Sequence, residues 1–233
     1  MDDTGVRIVE AKLKELCPTQ MTVGYDEVAF KRRNWGALTS EEKRCFIYEH
    51  PFPAVLGPRR VYYILDGHHL GRALLEDGVD EVFVSPIENL SHLDHAEFWR
   101  VTAQRHLIYP FALGRRRSFA DMPRSLRELH DDPFRSLTAR IHRACQYEKD
   151  SLPFAEFKSA DFLRGYISMA ALKAYPERVF QYARTLLRNR VDRYDKQEGS
   201  GSIPPARIAR PRCHHSRRRC EECHAGVMAD QMA

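Results

Sequence analysis

Asp66-Gly67-His68-His69-Leu70-Gly71-Arg72-Ala73 is the stretch on which the reading of this chain turns. Before it, Val61-Tyr62-Tyr63-Ile64-Leu65 is β-branched and aromatic, the composition of a buried strand. After it, Leu70, Ala73 and Leu74 recur at helical spacing until Gly78 stops the run. A glycine between strand and helix lets the backbone approach a ligand closely. The free N–H groups and the dipole of a helix start attract phosphate. Two imidazoles and Arg72 add donors, and Asp66 is placed to orient a histidine or hold a metal. The same residues also fit a structural role, with Asp66 capping the helix, Gly67 serving the turn and the histidines half-buried. Spacing alone leaves both readings open.

Upstream, Ala54-Val55-Leu56 reads as a strand that Gly57-Pro58 turns toward Val61. Thr39 followed by Glu42 forms a capping box for a helix that runs through Phe46, Ile47 and Tyr48 to Pro51. Met21-Thr22-Val23-Gly24 predicts a further strand and Asp26 to Asn34 a helix. Downstream, Val82-Phe83-Val84 predicts a strand and Ser91 to Thr102 a helix. Four helices are then expected, over Pro123–His130, Phe134–Tyr147, Phe154–Tyr166 and Glu177–Asp192. From Lys196 the composition shifts to Gly-Ser-Gly-Ser, Pro204-Pro205, and then Arg and Cys, a linker and tail. The chain is therefore expected to be α+β, with a mixed-sheet α/β domain over 5–120, a helical extension packed on it over 121–196, and a disordered basic Cys/His/Arg tail over 197–233.

Hydrophobic residues make up 43% and aromatics 10% of the 233 residues, enough for a packed core and against wholesale disorder. No run approaches the ~18 apolar residues of a membrane span, and Met1-Asp2-Asp3-Thr4 lacks a secretory leader's basic start, so a cytoplasmic protein is expected. Cys17, Cys45 and Cys145 are scattered and read as reduced thiols. The net charge is +5, but from Gly199 onward six arginines face only Glu221, Glu222 and Asp230, which leaves the rest of the chain at +2. A body near neutrality does not announce a nucleic-acid binder, and the basic tail adds only weak phosphate affinity that reads no sequence. Arg115-Arg116-Arg117 reads as a solvated loop or, alternatively, as a nucleic-acid contact. Cys213, Cys220, Cys223 and His224, with His214 and His215 nearby, supply ligand types that suit zinc, but one Cys-x-x-Cys pair with so short a loop is a weak signal.

Several stretches together resemble a known family. Gln20-Met21-Thr22-Val23-Gly24, Glu27-Val28 and Lys31 are similar to the opening of the ParB-like proteins labelled "putative ParB-like nuclease". The strand into Asp66-Gly67-His68-His69-Leu70, Glu97-Phe98-Trp99, Tyr109-Pro110, Asp121-Met122-Pro123, Asp132-Pro133-Phe134-Arg135-Ser136-Leu137 and Pro153-Phe154-Ala155-Glu156-Phe157 follow in the family's order. The likeness covers roughly Leu16 to Ala183 and implies the ParB/sulfiredoxin superfold, whose shared element is nucleotide phosphate at the glycine turn. Relatives use that turn differently: partitioning ParB proteins bind CTP, sulfiredoxins use ATP to repair an oxidised cysteine, and an archaeal relative phosphorylates serine with ADP.

The resemblance implies a protein that binds nucleotide or nucleic-acid phosphate at this turn, either a nuclease or phosphoryl-transfer enzyme or, alternatively, a non-enzymatic nucleotide-gated or DNA-associated module. ATP, ADP or CTP with Mg2+ is the cofactor set it implies. Asp66, Gly67, His68, His69, Arg72 and Lys31 are the candidate phosphate contacts. His68 and His69 are also catalytic candidates, and Glu27 is the candidate base, because an acid in this region serves as base in the serine-kinase relative. Glu27, His68, His69 and Arg72 are expected to converge on one cleft. Two departures matter. Many relatives have Gly-x-x-Arg here, whereas this chain has Leu70 and carries Arg72 two residues later. His68 stands where the sulfiredoxin cysteine would sit, which excludes that repair chemistry. Without a helix-turn-helix, sequence-specific DNA binding is not expected, nor is a membrane partner.

Overall fold

The computed structural model describes residues 8–145 and 154–197. In chain order the elements begin with β1 (Val9–Lys12), β2 (Cys17–Pro18), β3 (Thr22–Val23), α1 (Tyr25–Gly36) and α2 (Ser40–Glu49). They continue with β4 (Phe52–Leu56), β5 (Tyr62–Ile64), α3 (His68–Glu76), β6 (Glu81–Asn89) and α4 (His95–Gln104). The remaining strands are β7 (Phe111–Ala112), β8 (Arg115–Arg116) and β9 (His130–Asp131), and the remaining helices are α5 (Pro133–Cys145), α6 (Ala155–Arg164), α7 (Met169–Ala174) and α8 (Pro176–Gln197). The protein is α+β, with a mixed sheet and a helical C-terminal half.

Five strands form the main sheet in the order β1-β6-β4-β5-β2. The pairs β1–β6 and β4–β5 are antiparallel, while β4–β6 and β2–β5 are parallel. Side chains alternate across the sheet, as the strand pleat requires. Phe52, Ala54 and Ile64 face a core shared with α1 and α3, including Val28, Trp35 and Leu74. Val55 and Tyr63 face the other way, into a core with Phe98 and Trp99 of α4. A third core joins α5, α6 and α8 through Phe134, Ile141, Leu163, Phe180 and Ala183. Burying a residue such as Phe98 or Phe134 contributes about 1.5–3 kcal/mol.

The capping box of α2 forms as its residues dictate: the Thr39 hydroxyl accepts the Glu42 N–H at 3.3 Å and Glu42 accepts the Thr39 N–H at 2.8 Å. The stretch expected as a helix over Pro123–His130 is not one. It is irregular apart from a single 3-10 turn at Leu126–Glu128, and it ends in β9, which pairs in parallel with β3. Leu126 and Leu129 are buried in the sheet-side core, so this segment packs with the α/β half. The tail expected to be disordered, with Cys213, Cys220, Cys223 and His224, lies outside the described residues, as does the side chain of Cys145. Cys17 and Cys45 are half-buried and in no disulfide among the described residues, and burial pushes the Cys17 thiol up to about 11.

Candidate functional site

The turn between β5 and α3 is built for a glycine. Gly67 has φ +83°, the left-handed region that side chains resist. A Cβ there would also stand 2.8 Å from the Phe52 ring, so the backbone approaches the core too closely for any other residue. The Asp66 carboxylate accepts the Gly67 N–H at 2.8 Å. The N-cap of α3 is Gly67, which has no side chain to cap the first turn, so the leading N–H groups, which have no partner within the helix, present their dipole at the turn.

Both histidines are engaged by backbone. His68 is 4% exposed, and its Nε2 accepts the Thr19 N–H at 3.1 Å. The Thr19 hydroxyl in turn donates to the Ile64 carbonyl at 2.8 Å, tying the 19–24 segment to β5. Burial pushes the His68 imidazole down to about 3, against an opposing pull from Asp66, so the ring is neutral with its proton on Nδ1. His69 is half-buried, and its Nε2 accepts the Gly24 N–H at 3.0 Å, at the start of α1. The two rings thus fasten the loop after β2 to the first turn of α3. Gly24 is confined on its other side as well, because a Cβ there would fall 2.4 Å from the Ser136 nitrogen on α5.

The other candidates are engaged by partners of their own. Arg72 donates from Nη1 to the carbonyls of Leu126, Arg127 and Leu129 at 3.2, 2.8 and 3.1 Å, and its Nε pairs with Glu76 at 2.6 Å. Its guanidinium braces the irregular 126–129 segment against α3. Glu27 is 7% exposed, not the exposed helix residue that its position also allowed. It forms ion pairs with Arg143 of α5 and, at 3.9 Å, with Lys31, whose side chain is 41% exposed. His68 and His69 therefore share the turn with Asp66 and Gly67. Arg72 and the Glu27–Lys31 pair are each engaged in the contacts just described.

Arg135 was assigned no role from the sequence and stands out in the structure. It is 3% exposed on the first turn of α5, stacked 3.6 Å over the Phe157 ring. Nη1 donates to the Thr22 carbonyl at 3.3 Å, the same oxygen that takes the Gln20 amide at 3.0 Å. Nη2 faces Glu156 at 3.7 Å, and Nε has no hydrogen-bond partner among the described residues. Burial pulls its pKa down, while Glu156, Asp132, Tyr109 and Asp66 oppose the shift, which puts the guanidinium within electrostatic reach of the turn. In the neighbouring network Arg164 Nε also lacks a hydrogen-bond partner among the described residues and faces Asp161 at 3.5 Å. Asp132 caps α5 by accepting the Phe134 N–H at 3.0 Å and holds Arg164 at 2.7 Å, and the Tyr109 hydroxyl donates to Asp161 at 2.8 Å. Burial and that bond raise the Tyr109 pKa. The local cue for Arg135 was Asp132-Pro133, a cap followed by proline at the first helical position.

Among the described residues no three His, Cys, Asp or Glu side chains converge on a metal position, and no helix is long and apolar enough to cross a membrane. Arg115 and Arg116 are exposed on the β7–β8 hairpin.

A mixed sheet whose glycine turn opens a helix makes this an α+β protein with a strand–turn–helix site. The chain belongs to the family described as "Putative ParB-like nuclease", whose model matches residues 9–165. It is similar to the crystal structure of protein Atu1540 from Agrobacterium tumefaciens, with 38% identity, a TM-score of 0.75, and coverage of 82% of this chain and 95% of that one. Among curated proteins none matches it.

Proposed function

We propose that this protein binds the phosphate of a nucleotide or of nucleic acid at the Asp66-Gly67-His68-His69 turn. The observation that carries the reading is the start of α3, which has a left-handed glycine as its N-cap and a buried guanidinium within electrostatic reach. ATP, ADP and CTP are the ligands of choice. Mg2+ would arrive with the nucleotide, and Asp66 is the exposed carboxylate at the turn that would meet it. Binding without turnover is the form that follows most directly, because both histidines already accept backbone N–H bonds and Glu27 is held in ion pairs.

Hydrolysis or phosphoryl transfer is the second reading. What favours it is a carboxylate, Glu27, buried on the first turn of the helix that His69 anchors. Melting temperature against ATP, ADP, CTP and a short DNA, each with and without Mg2+, tests binding, because a ligand of the folded state alone must raise it. A rise with one nucleotide supports the reading, and no rise with any of them refutes it. If that ligand is turned over and Glu27→Gln abolishes turnover while sparing the shift, the enzyme reading holds. If no product forms, the protein is a binding module.

A further inference from the structure

Arg135 is a buried cation whose ion pair, with Glu156, is not a hydrogen bond. Desolvating a guanidinium is costly unless a well-placed acid and hydrogen bonds compensate it. Its acidic neighbours are committed elsewhere, Asp132 to Arg164 at 2.7 Å and Asp161 to the Tyr109 hydroxyl at 2.8 Å. Asp66 accepts the Gly67 N–H. Among the described residues Glu156 is its ion-pair partner, and 3.7 Å is longer than a hydrogen bond. The guanidinium's use of its nitrogens is uneven. Nη1 is spent on the Thr22 carbonyl, while Nε has no partner and Nη2 has only the distant carboxylate. Nε and Nη2 form the edge with which arginine grips a phosphate or carboxylate through two parallel bonds. The edge that recognises an oxyanion is thus the one left without a hydrogen bond. The Glu156 side chain is 34% exposed, at the start of α6.

We infer that the Nε–Nη2 edge of Arg135 receives the ligand's phosphate, and that Glu156 holds this place as a carboxylate stand-in which the phosphate displaces. The inference rests on the phosphate reading of the turn given above. It adds a gripping residue from the helical half, so that ligand bridges α3 of the sheet domain and α5 of the extension. It also explains the position of Glu156, close enough to neutralise the guanidinium and too far to satisfy it. A purely structural Arg135, gluing α5 to Phe157 of α6, would make Glu156 a stabilising partner with no bearing on anions.

Calorimetric titration of the full chain with inorganic phosphate, ATP and a short DNA duplex separates these. Glu156→Gln removes the competing charge from a half-exposed position and should tighten binding of whichever probe the wild type takes. Arg135→Lys keeps charge but loses the fork and should weaken it by about tenfold, the worth of one charge-assisted hydrogen bond. Glu177→Gln, an exposed acid paired with Arg140, controls for net charge and should change nothing. If Arg135→Lys fails to fold, Glu156→Gln decides alone. Unchanged affinity in Glu156→Gln, or an equal gain in Glu177→Gln, overturns the inference and leaves the turn reading standing. Failure of the wild type to bind any probe overturns both.

Discussion

Replacing His68 with glutamine should flatten the acid limb of the stability curve. The imidazole is 4% exposed and its folded pKa is about 3, pushed down by burial from an ordinary value of 6.5. A depressed folded pKa means that the unfolded chain takes up the proton first as pH falls. The stabilisation is therefore complete above 6.5 and is lost progressively down to about 3, at roughly 1.4 kcal/mol per pH unit. Between about pH 7.5 and about pH 5 this amounts to about 2 kcal/mol. Glutamine keeps an acceptor for the Thr19 N–H but cannot titrate. Asp131, whose carboxyl burial raises, acts in the opposite sense, since its folded form binds the proton first. That contribution is common to both proteins and cancels in the comparison. The assay is denaturant unfolding of wild type and His68→Gln at both pH values, with the slopes checked for equality. Wild type should lose about 2 kcal/mol more than the variant over this interval. Equal losses would show that His68 is not held neutral in the fold, and would refute the tautomer and the Thr19 bond assigned to it.

Gly67→Ala should destabilise more than Gly78→Ala, although both sit at positive φ. Each carries about 1–2 kcal/mol of left-handed strain, but only at Gly67 does the new methyl meet Phe52, at 2.8 Å, while Gly78 has open space. Equal shifts in unfolding midpoint would mean that the turn does not rest on Phe52. Arg72→Met should cost about 2–4 kcal/mol through the carbonyls of Leu126, Arg127 and Leu129. It should leave nucleotide affinity unchanged, and a selective loss of binding in a stable variant would restore Arg72 as a phosphate contact. Thr39→Ala should cost about 1 kcal/mol by chemical denaturation, as the loss of a helix cap on the exposed α2 does. Tyr109→Phe should cost about 1 kcal/mol by removing the bond to Asp161, and a neutral result would show that water replaces the hydroxyl there.

Features that rest on neighbours in the chain were legible beforehand. The Thr39–Glu42 box, the Gly78 stop and the strand–glycine–helix passage through Asp66 each depend on a few consecutive residues and on backbone geometry. The ordered motifs from Gln20 to Phe157 likewise pointed to the family to which the chain belongs. The edge strand β1 was not read, because Val9-Glu10-Ala11-Lys12 carries little apolar pattern and forms only by pairing with β6. The α7 helix, six residues long, was also missed.

The 123–130 stretch shows why local pattern was insufficient. Its apolar spacing suits a helix, yet three of its carbonyls are taken by Arg72, a side chain more than fifty positions earlier, and its end pairs with β3. The site divided along the same line. That a glycine turn with histidines would open a helix followed from composition. That both imidazoles would accept the N–H groups of Thr19 and Gly24, that Arg72 would bond the carbonyls of Leu126, Arg127 and Leu129, and that Arg135 would come within electrostatic reach of Asp66 depend on partners from distant parts of the chain. Hydrogen bonds and desolvation act over a few ångströms of space whatever the separation in sequence. The turn could therefore be read from its own residues, whereas the charge within reach of it emerged only when α5 was folded against α1.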